Sequence, residues 1–498
     1  MGERKMKNYR TKLSQRVRYA LLAGMAGAFL IPQVAFAAPT GGEAVFGGAT
    51  GLTTSSDMNI TSSNPNNVIT WRDYSIAQGE RVRYDSGNKT NNYLNIVTGA
   101  NTSNINGKIE GGKNVYIVNP NGVIFGKNAE VNVGHLHVST QDTSTVNTAA
   151  DMANNVSPLS TTAAGISDVV NMGKITADTV EVHGKNIRFL NAANVHTTNP
   201  VVLHTDTANG GYAHIGYKSG HVPAVTAYQV NGAVATAADN YYQLVADKTE
   251  FQNIKNGLTK NYMLENDIDF LGTALTPIGD DTTKFTGKLD GNFFQVKNFN
   301  VSGVSRAGLF GTTSGARLEN FGVVGANITG NTGVSDYAGG IAAYTTGGTQ
   351  IRNVYVKDTV VDGGTGQHGG IVGGTENTTL DGVYSQAKIG DGGGIIGTSA
   401  TGTKIYNTYS DATFLSRVPS GQEMFFIYMI DPDDGTYVEN SFAMGKFSWN
   451  EGNLTGNVSK NTFKIDKSSG QATLVGSGTG GGSMTSVDSY SGWGNDIN

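Results

Sequence analysis

The segment Val115–Thr140, VYIVNPNGVIFGKNAEVNVGHLHVST, constrains the fold most, because three apolar strands and two corners share 26 residues. Val115–Val118, Val123–Phe125 and Val131–Ser139 read as the strands, with corners at Asn119-Pro120-Asn121-Gly122 and Gly126-Lys127-Asn128. Pro120 presets φ at the second corner position, while Asn121 and Gly122 tolerate the positive φ that closes the bend. Strands this short cannot hold a sheet alone. Joined by corners instead of hairpin reversals, they predict the coils of a parallel β-solenoid.

Composition fits a chain dense in corners. Of 498 residues, 69 are Gly, 10 are Pro and none is Cys. Glycine is at about twice its usual share, and the 15% of charged residues falls well under the usual quarter. Residues 1–37 read as an export leader: Arg4, Lys5, Lys7, Arg10, Lys12, Arg16 and Arg18 precede the apolar run Ala20–Ile31. Ala35-Phe36-Ala37 then supplies a small-x-small pattern that places cleavage between Ala37 and Ala38. The run is shorter than the ~20 apolar residues that span a bilayer. Losing the leader removes seven of 35 cationic and one of 40 acidic side chains, leaving 28 against 39. An acidic mature chain without a Lys/Arg cluster argues against a nucleic-acid partner. An exported protein is free to form disulfides, so the lack of cysteine fits a chain that stays extended through a narrow pore.

Upstream of the first corner run Val68-Ile69-Thr70-Trp71, Tyr74-Ser75-Ile76, Val82-Arg83-Tyr84, Leu94-Asn95-Ile96-Val97-Thr98 and Ile105-Asn106-Gly107-Lys108-Ile109. Their order and spacing resemble the haemagglutination-activity domain of filamentous haemagglutinin-like two-partner secretion exoproteins. The likeness covers roughly Gly47 to Thr140, with Val123 where the family has Ile. It implies an all-β chain whose amino-terminal part is a right-handed parallel β-helix. It also implies export to the periplasm and passage through a dedicated outer-membrane barrel transporter that recognises this domain. By that resemblance Asn119, Pro120, Asn121 and Gly122 are candidates for transporter recognition. The plainer alternative is that Asn119 and Asn121 bond their own backbone and only build the corner.

Residues 38–216 read as one capped β-helical domain, with Trp71, Tyr74 and Tyr84 sealing its first coil, as terminal repeats must. The insert Gln141–Ser167 is expected to loop off the stack, and 217–246 to be a linker. A leader segment, 247–295, should open with a helix: Asp247 and Glu250 form a capping box, Phe251, Ile254 and Leu258 share a face, and Gly257 stops it. Over 296–447 the pattern apolar-x-Asn recurs at Asn298, Asn320, Asn353, Asn407 and Asn440, with Leu380-Asp-Gly382 a degenerate copy. Stacked coils would set these asparagines in an amide ladder with ~4.8 Å rungs. The repeats resemble the GLUG motif of bacterial surface adhesins, which implies a second β-solenoid. Residues 448–498 read as a Gly/Ser/Thr-rich tail.

Chemistry-bearing constellations are sparse. His135 and His137 share a strand face, but no third ligand stands nearby in sequence, so packed or solvated imidazoles are the expectation and no metal or other cofactor is assigned. Asp431-Pro-Asp-Asp-Gly435 departs from a calcium loop, since Gly435 comes one place early and Phe442 replaces the bidentate Glu. A polysaccharide lyase or hydrolase built on a β-helix would need carboxylates about 5 to 9.5 Å apart on neighbouring rungs. Asp280 and Asp281 diverge if on a strand, and Asp267 and Asp269 show no cation repeating with the coil, so no catalytic residue is assigned. With no catalytic residue assigned, the resemblances imply a secreted or cell-surface adhesin, not an enzyme, that presents loops to a host or neighbouring-cell glycan or protein receptor.

Overall fold

The computed structural model describes residues 38–415 apart from 147–151, 153, 155–156, 161, 225–226, 332–335, 364–366, 391 and 400–401. It also describes the short stretches 437–439, 441–444, 459–460, 463–465 and 472–474. The expected export leader with Ala37, the Asp431–Gly435 stretch, Asn440 and most of the tail lie outside the described residues. The chain divides into two compact units between Leu244 and Val245.

In the amino-terminal unit the coils contribute strands to three sheets. The largest stacks Asn66–Trp71, Asn92–Val97, Asn114–Val118, His135–Ser139, Thr179–Gly184, Val201–Thr205 and Tyr228–Val230, all parallel. Its first strand is covered by Glu43–Phe46 and its last by Ala233–Val234, both antiparallel. Edge strands that would otherwise offer bare N–H and C=O groups are closed off in this way. The second sheet stacks Asp57–Ile60, Arg81–Tyr84, Lys108–Glu110, Glu130–Asn132, Lys174–Ala177 and Val195–Thr197. The third runs from Ser103–Ile105 and Val123–Phe125 through Val169–Asn171 and Ile187–Phe189 to Ala213–Tyr217. The fold is thus a parallel β-helix, as the corner-linked strands predict.

Alternation sets what each strand buries. In His135–Ser139 the side chains of Leu136 and Val138 point into the core, and those of His135 and His137 point out. At the first coils the interior is aromatic and polar together: Trp71, Tyr74 and Tyr84 are fully buried around Asn95. Asn95 Oδ1 accepts from Trp71 Nε1 at 3.0 Å and from the Tyr84 hydroxyl at 2.9 Å, and its amide donates to Tyr116 O at 3.0 Å. An amide ladder also runs up this sheet, Asn114 to Asn92 at 2.7 Å and Asn92 to Asn66 at 2.6 Å, at positions the repeat pattern does not reveal.

Two expectations for this unit need correction. The insert does not leave the stack: Val146, Met152 and Leu159 pack on Val68, Leu94, Ile96, Tyr116 and Val118, which line the outer face of the largest sheet. The coils also continue past residue 216, since Tyr228–Val230 pairs with Val201–Leu203 and Ile215 with Tyr241. The stretch 217–246 therefore adds strands and is not a linker.

The second unit opens as the capping box predicts. Asp247 caps the helix Lys248–Gln252 by accepting from Thr249 N and Glu250 N, while Glu250 reaches back to Ala246 N at 2.7 Å. Parallel rungs follow, in the register Leu289, Leu318, Ile351, Leu380, Ile405. A Gly-rich sheet stacks Phe310–Ser314, Ala342–Thr346, Val372–Thr375 and Ile396–Ser399. Buried threonine pairs tie its rungs together, Thr345 to Thr378 and Thr375 to Thr403 at 3.0 Å.

The asparagines do not form one column. Arg352 lies against Glu319 and Asp381, and Asp381 against Tyr406, so Asn320, Asn353, Gly382 and Asn407 follow in one corner. Asn298 belongs to another, level with Gly325 and Asp358, because Lys297 pairs with Val324 and Val324 with Lys357. What the members of both columns share is backbone: φ is 61°, 50°, 66° and 53° in the first and 54°, 68° and 50° in the second. Asn and Gly interchange there because both adopt the left-handed region at low cost. Asn353 makes an amide-to-amide contact with Asn320 at 3.1 Å, while Asn298, Asn320 and Asn407 donate to Asp269, Asp290 and Asp381.

Two substitutions test this account by urea unfolding of the purified chain. Asn95→Ala strands two donors and one acceptor in the core and is expected to cost roughly 3 kcal/mol. Asn353→Ala should cost about 1 to 2 kcal/mol for forcing a left-handed alanine, and Asn353→Gly clearly less. Equal losses would mean that the amide matters and the corner does not.

Candidate functional site

The Asn119–Gly122 corner joins Asn114–Val118 to Val123–Phe125 and is knitted to the coils on either side. Asn119 is fully buried. Its amide donates to Asn101 O at 2.9 Å and Ser103 Oγ at 3.0 Å, and its Oδ1 accepts from Asn121 N at 2.9 Å. Gly122 N closes the turn on Asn119 O at 3.0 Å, with Gly122 at φ 108°. Asn121 donates to Gly99 O at 2.9 Å, and Ser167 Oγ, at the end of the insert, donates to Pro120 O. Asn119 thus presents nothing to solvent, and Pro120 and Asn121 present only part of their surface.

The carboxylates weighed for catalysis are held by structural partners. Asp267 pairs with Lys297 at 3.0 Å and Asp281 with Arg306 at 2.9 Å. Asp280 accepts from Thr282 N and Thr283 N, and Asp269 from Leu271 N and Asn298.

The histidines behave differently from the sequence expectation. Register sets His137 beside Glu181, and His183 beside His204, on the outer face of the largest sheet. Glu181 and His183, two apart on Thr179–Gly184, share that face. Glu181 Oε2 lies 3.0 Å from His137 Nδ1, and its Oε1 lies 3.0 Å from His183 Nε2 and 3.5 Å from His204 Nε2. The His183 and His204 rings stack with centroids 4.3 Å apart, and His137 stacks on Tyr116 at 4.3 Å. The insert closes over one side: Gln141, fully buried, bonds Ser160 O and Ala163 O and reaches within 3.3 Å of His183 Nδ1. Hydrogen bonds from His137, then His183 and His204, hold the Glu181 carboxyl far below the usual glutamate range. His135 sits apart from the group, its pKa lowered by burial and by His137.

Sequence reasoning missed Glu181, His183 and His204. The cue was the coil period: His183 to His204 is 21 residues, one rung, but His137 to Glu181 is 44, because the insert doubles that step.

A "Heme/hemopexin-binding protein" of Haemophilus influenzae is 36% identical over 104 residues, 21% of this chain and 12% of that protein. A second H. influenzae protein of the same name is 37% identical over 101 residues, 20% of this chain and 11% of that one. The chain thus spans about an eighth or less of these relatives' length. The HMW1 secretion domain from H. influenzae aligns over 86% of this chain and 98% of its own, at 14% identity and a TM-score of 0.27, too low to add to the fold assignment. Residues 37–268, just under half of the chain, match the family described as "TPS secretion domain".

Proposed function

We propose that the chain is a bacterial surface adhesin, exported across the outer membrane by a barrel transporter that engages the amino-terminal β-helix. In this reading residues 1–37 direct it to the periplasm and are removed after Ala37. The single observation that carries the proposal is the secretion-domain match over 37–268, lying on coils whose edges are capped at both ends of the largest sheet. The second unit, with repeats of the GLUG type, then serves as a displayed rod whose corners carry receptor-binding loops for a glycan or protein. What the heme/hemopexin-binding relatives bind is not carried over, because so little of their length is shared.

Within this scheme the Asn119–Gly122 motif acts by building the corner that lets successive coils stack. The burial of Asn119 and its four bonds support that role over recognition of the folded motif by the transporter. Each finished coil offers unpaired N–H and C=O groups to the next, so folding outside the cell draws the chain outward one rung at a time.

Secretion assays separate the roles. Asn119→Ala is expected to destabilise the purified protein by about 3 kcal/mol and to reduce its appearance in the medium in parallel. Pro120→Ala, which removes no hydrogen bond, should leave both nearly unchanged. Asn119→Ala protein that unfolds like the parent yet fails to be secreted would instead support direct transporter contact.

A further inference from the structure

The outward face of the amino-terminal β-helix carries a group of side chains to which the proposed function gives no role. Glu181, His183 and His204 each bring one potential ligand atom within 4.8 Å of the others. A tetrahedral zinc with ligands at about 2.0 to 2.1 Å sets its donor atoms about 3.3 Å apart. The two Glu–His separations here, 3.0 and 3.5 Å, bracket that edge. The donor set, two imidazoles and one carboxylate, is the kind that leaves a fourth position open for water or a further ligand.

The surroundings hold the donors in place. Strand geometry fixes His183 and Glu181 on one face, and the adjacent rung brings His204 over His183 in a ring stack. His137, one rung the other way and braced on Tyr116, binds the carboxylate oxygen that the three-atom group does not use. That contact turns Oε1 toward the two Nε2 atoms, as outer partners orient metal ligands elsewhere. His183 is almost fully buried, whereas the His204 side chain is 34% exposed, which leaves a route for an ion.

We propose that Glu181, His183 and His204 form a binding site for a divalent first-row transition ion, zinc above all, with His137 as the positioning residue. Glu181 and His183 lie 21 to 23 residues from His204 in the chain and meet only when their rungs stack. The ion would therefore bind the folded coils and not the extended chain in transit, and clamp two rungs after export. A carboxylate hydrogen-bonded by three imidazoles, without metal, is the competing explanation.

The test uses the full secreted chain, purified without a polyhistidine tag, treated with chelator and titrated with Co2+ and then Zn2+. One equivalent of Co2+ should give the visible absorption of a tetrahedral site, and Zn2+ should displace it and raise the thermal midpoint. Glu181→Gln and the partly exposed His204→Gln should weaken uptake by at least tenfold while far-UV circular dichroism is unchanged. His137→Phe, which keeps a ring against Tyr116, should weaken it 10- to 100-fold without abolishing one-to-one stoichiometry. Absence of saturable uptake by the parent, or uptake unchanged in Glu181→Gln and His204→Gln, would overturn the proposal. The readout is independent of secretion, so it stands or falls apart from the exoprotein reading.

Discussion

Parallel register between successive coils is the constraint on which the amino-terminal unit depends. Because each strand lies in step with the one below, a residue meets its structural equivalent one coil away, about 4.8 Å distant. That one rule produces the stacked apolar interior of Leu136 and Val180, the amide ladder through Asn66, Asn92 and Asn114, and the meeting of His183 with His204. A slip by one residue would turn all of these inside out. The same logic operates separately in the second unit, where left-handed corners recur at Asn320, Asn353, Gly382 and Asn407.

Much of this was legible in the sequence because corners leave strong local marks. Pro120 and Gly122 announce a turn, and the Asp247–Glu250 box announces a helix, through interactions spanning a few residues. The apolar-x-Asn pattern likewise found four rungs in correct register, at Leu318, Ile351, Ile405 and Val438, along with the degenerate copy at Leu380. It misplaced Asn298, whose preceding Val296 pairs with Val323 and not with Leu318. Local pattern cannot tell one left-handed corner of a coil from the next, since both ask for Asn or Gly.

What could not be read required knowing which residues end up a whole coil apart. The insert after Gln141 looked polar enough to leave the stack, yet Val146, Met152 and Leu159 are spaced to cover an apolar outer face that alternation alone would not foresee. Its length then hid the histidine group, whose members lie 21 and 44 residues apart instead of at a constant step. A β-helical unit without cysteine has few ways to hold coils together after folding. Burial, amide ladders and charged contacts across rungs must serve, the latter weakly where exposed, as between Lys108 and Glu130 at 2.8 Å.

The absence of native cysteine makes the central claim easy to measure. Lys108 and Glu130 are register partners on neighbouring parallel rungs, both exposed. Cysteines placed at these two positions should oxidise to an intramolecular disulfide in high yield, since their Cα atoms fall inside the roughly 4.4 to 6.8 Å that the bond spans. Cysteines at Lys108 and Asn132, two places out of register, should not. Efficient closure of the second pair and failure of the first would contradict parallel stacking in this register, and with it the account of the ladder, the corners and the ion site.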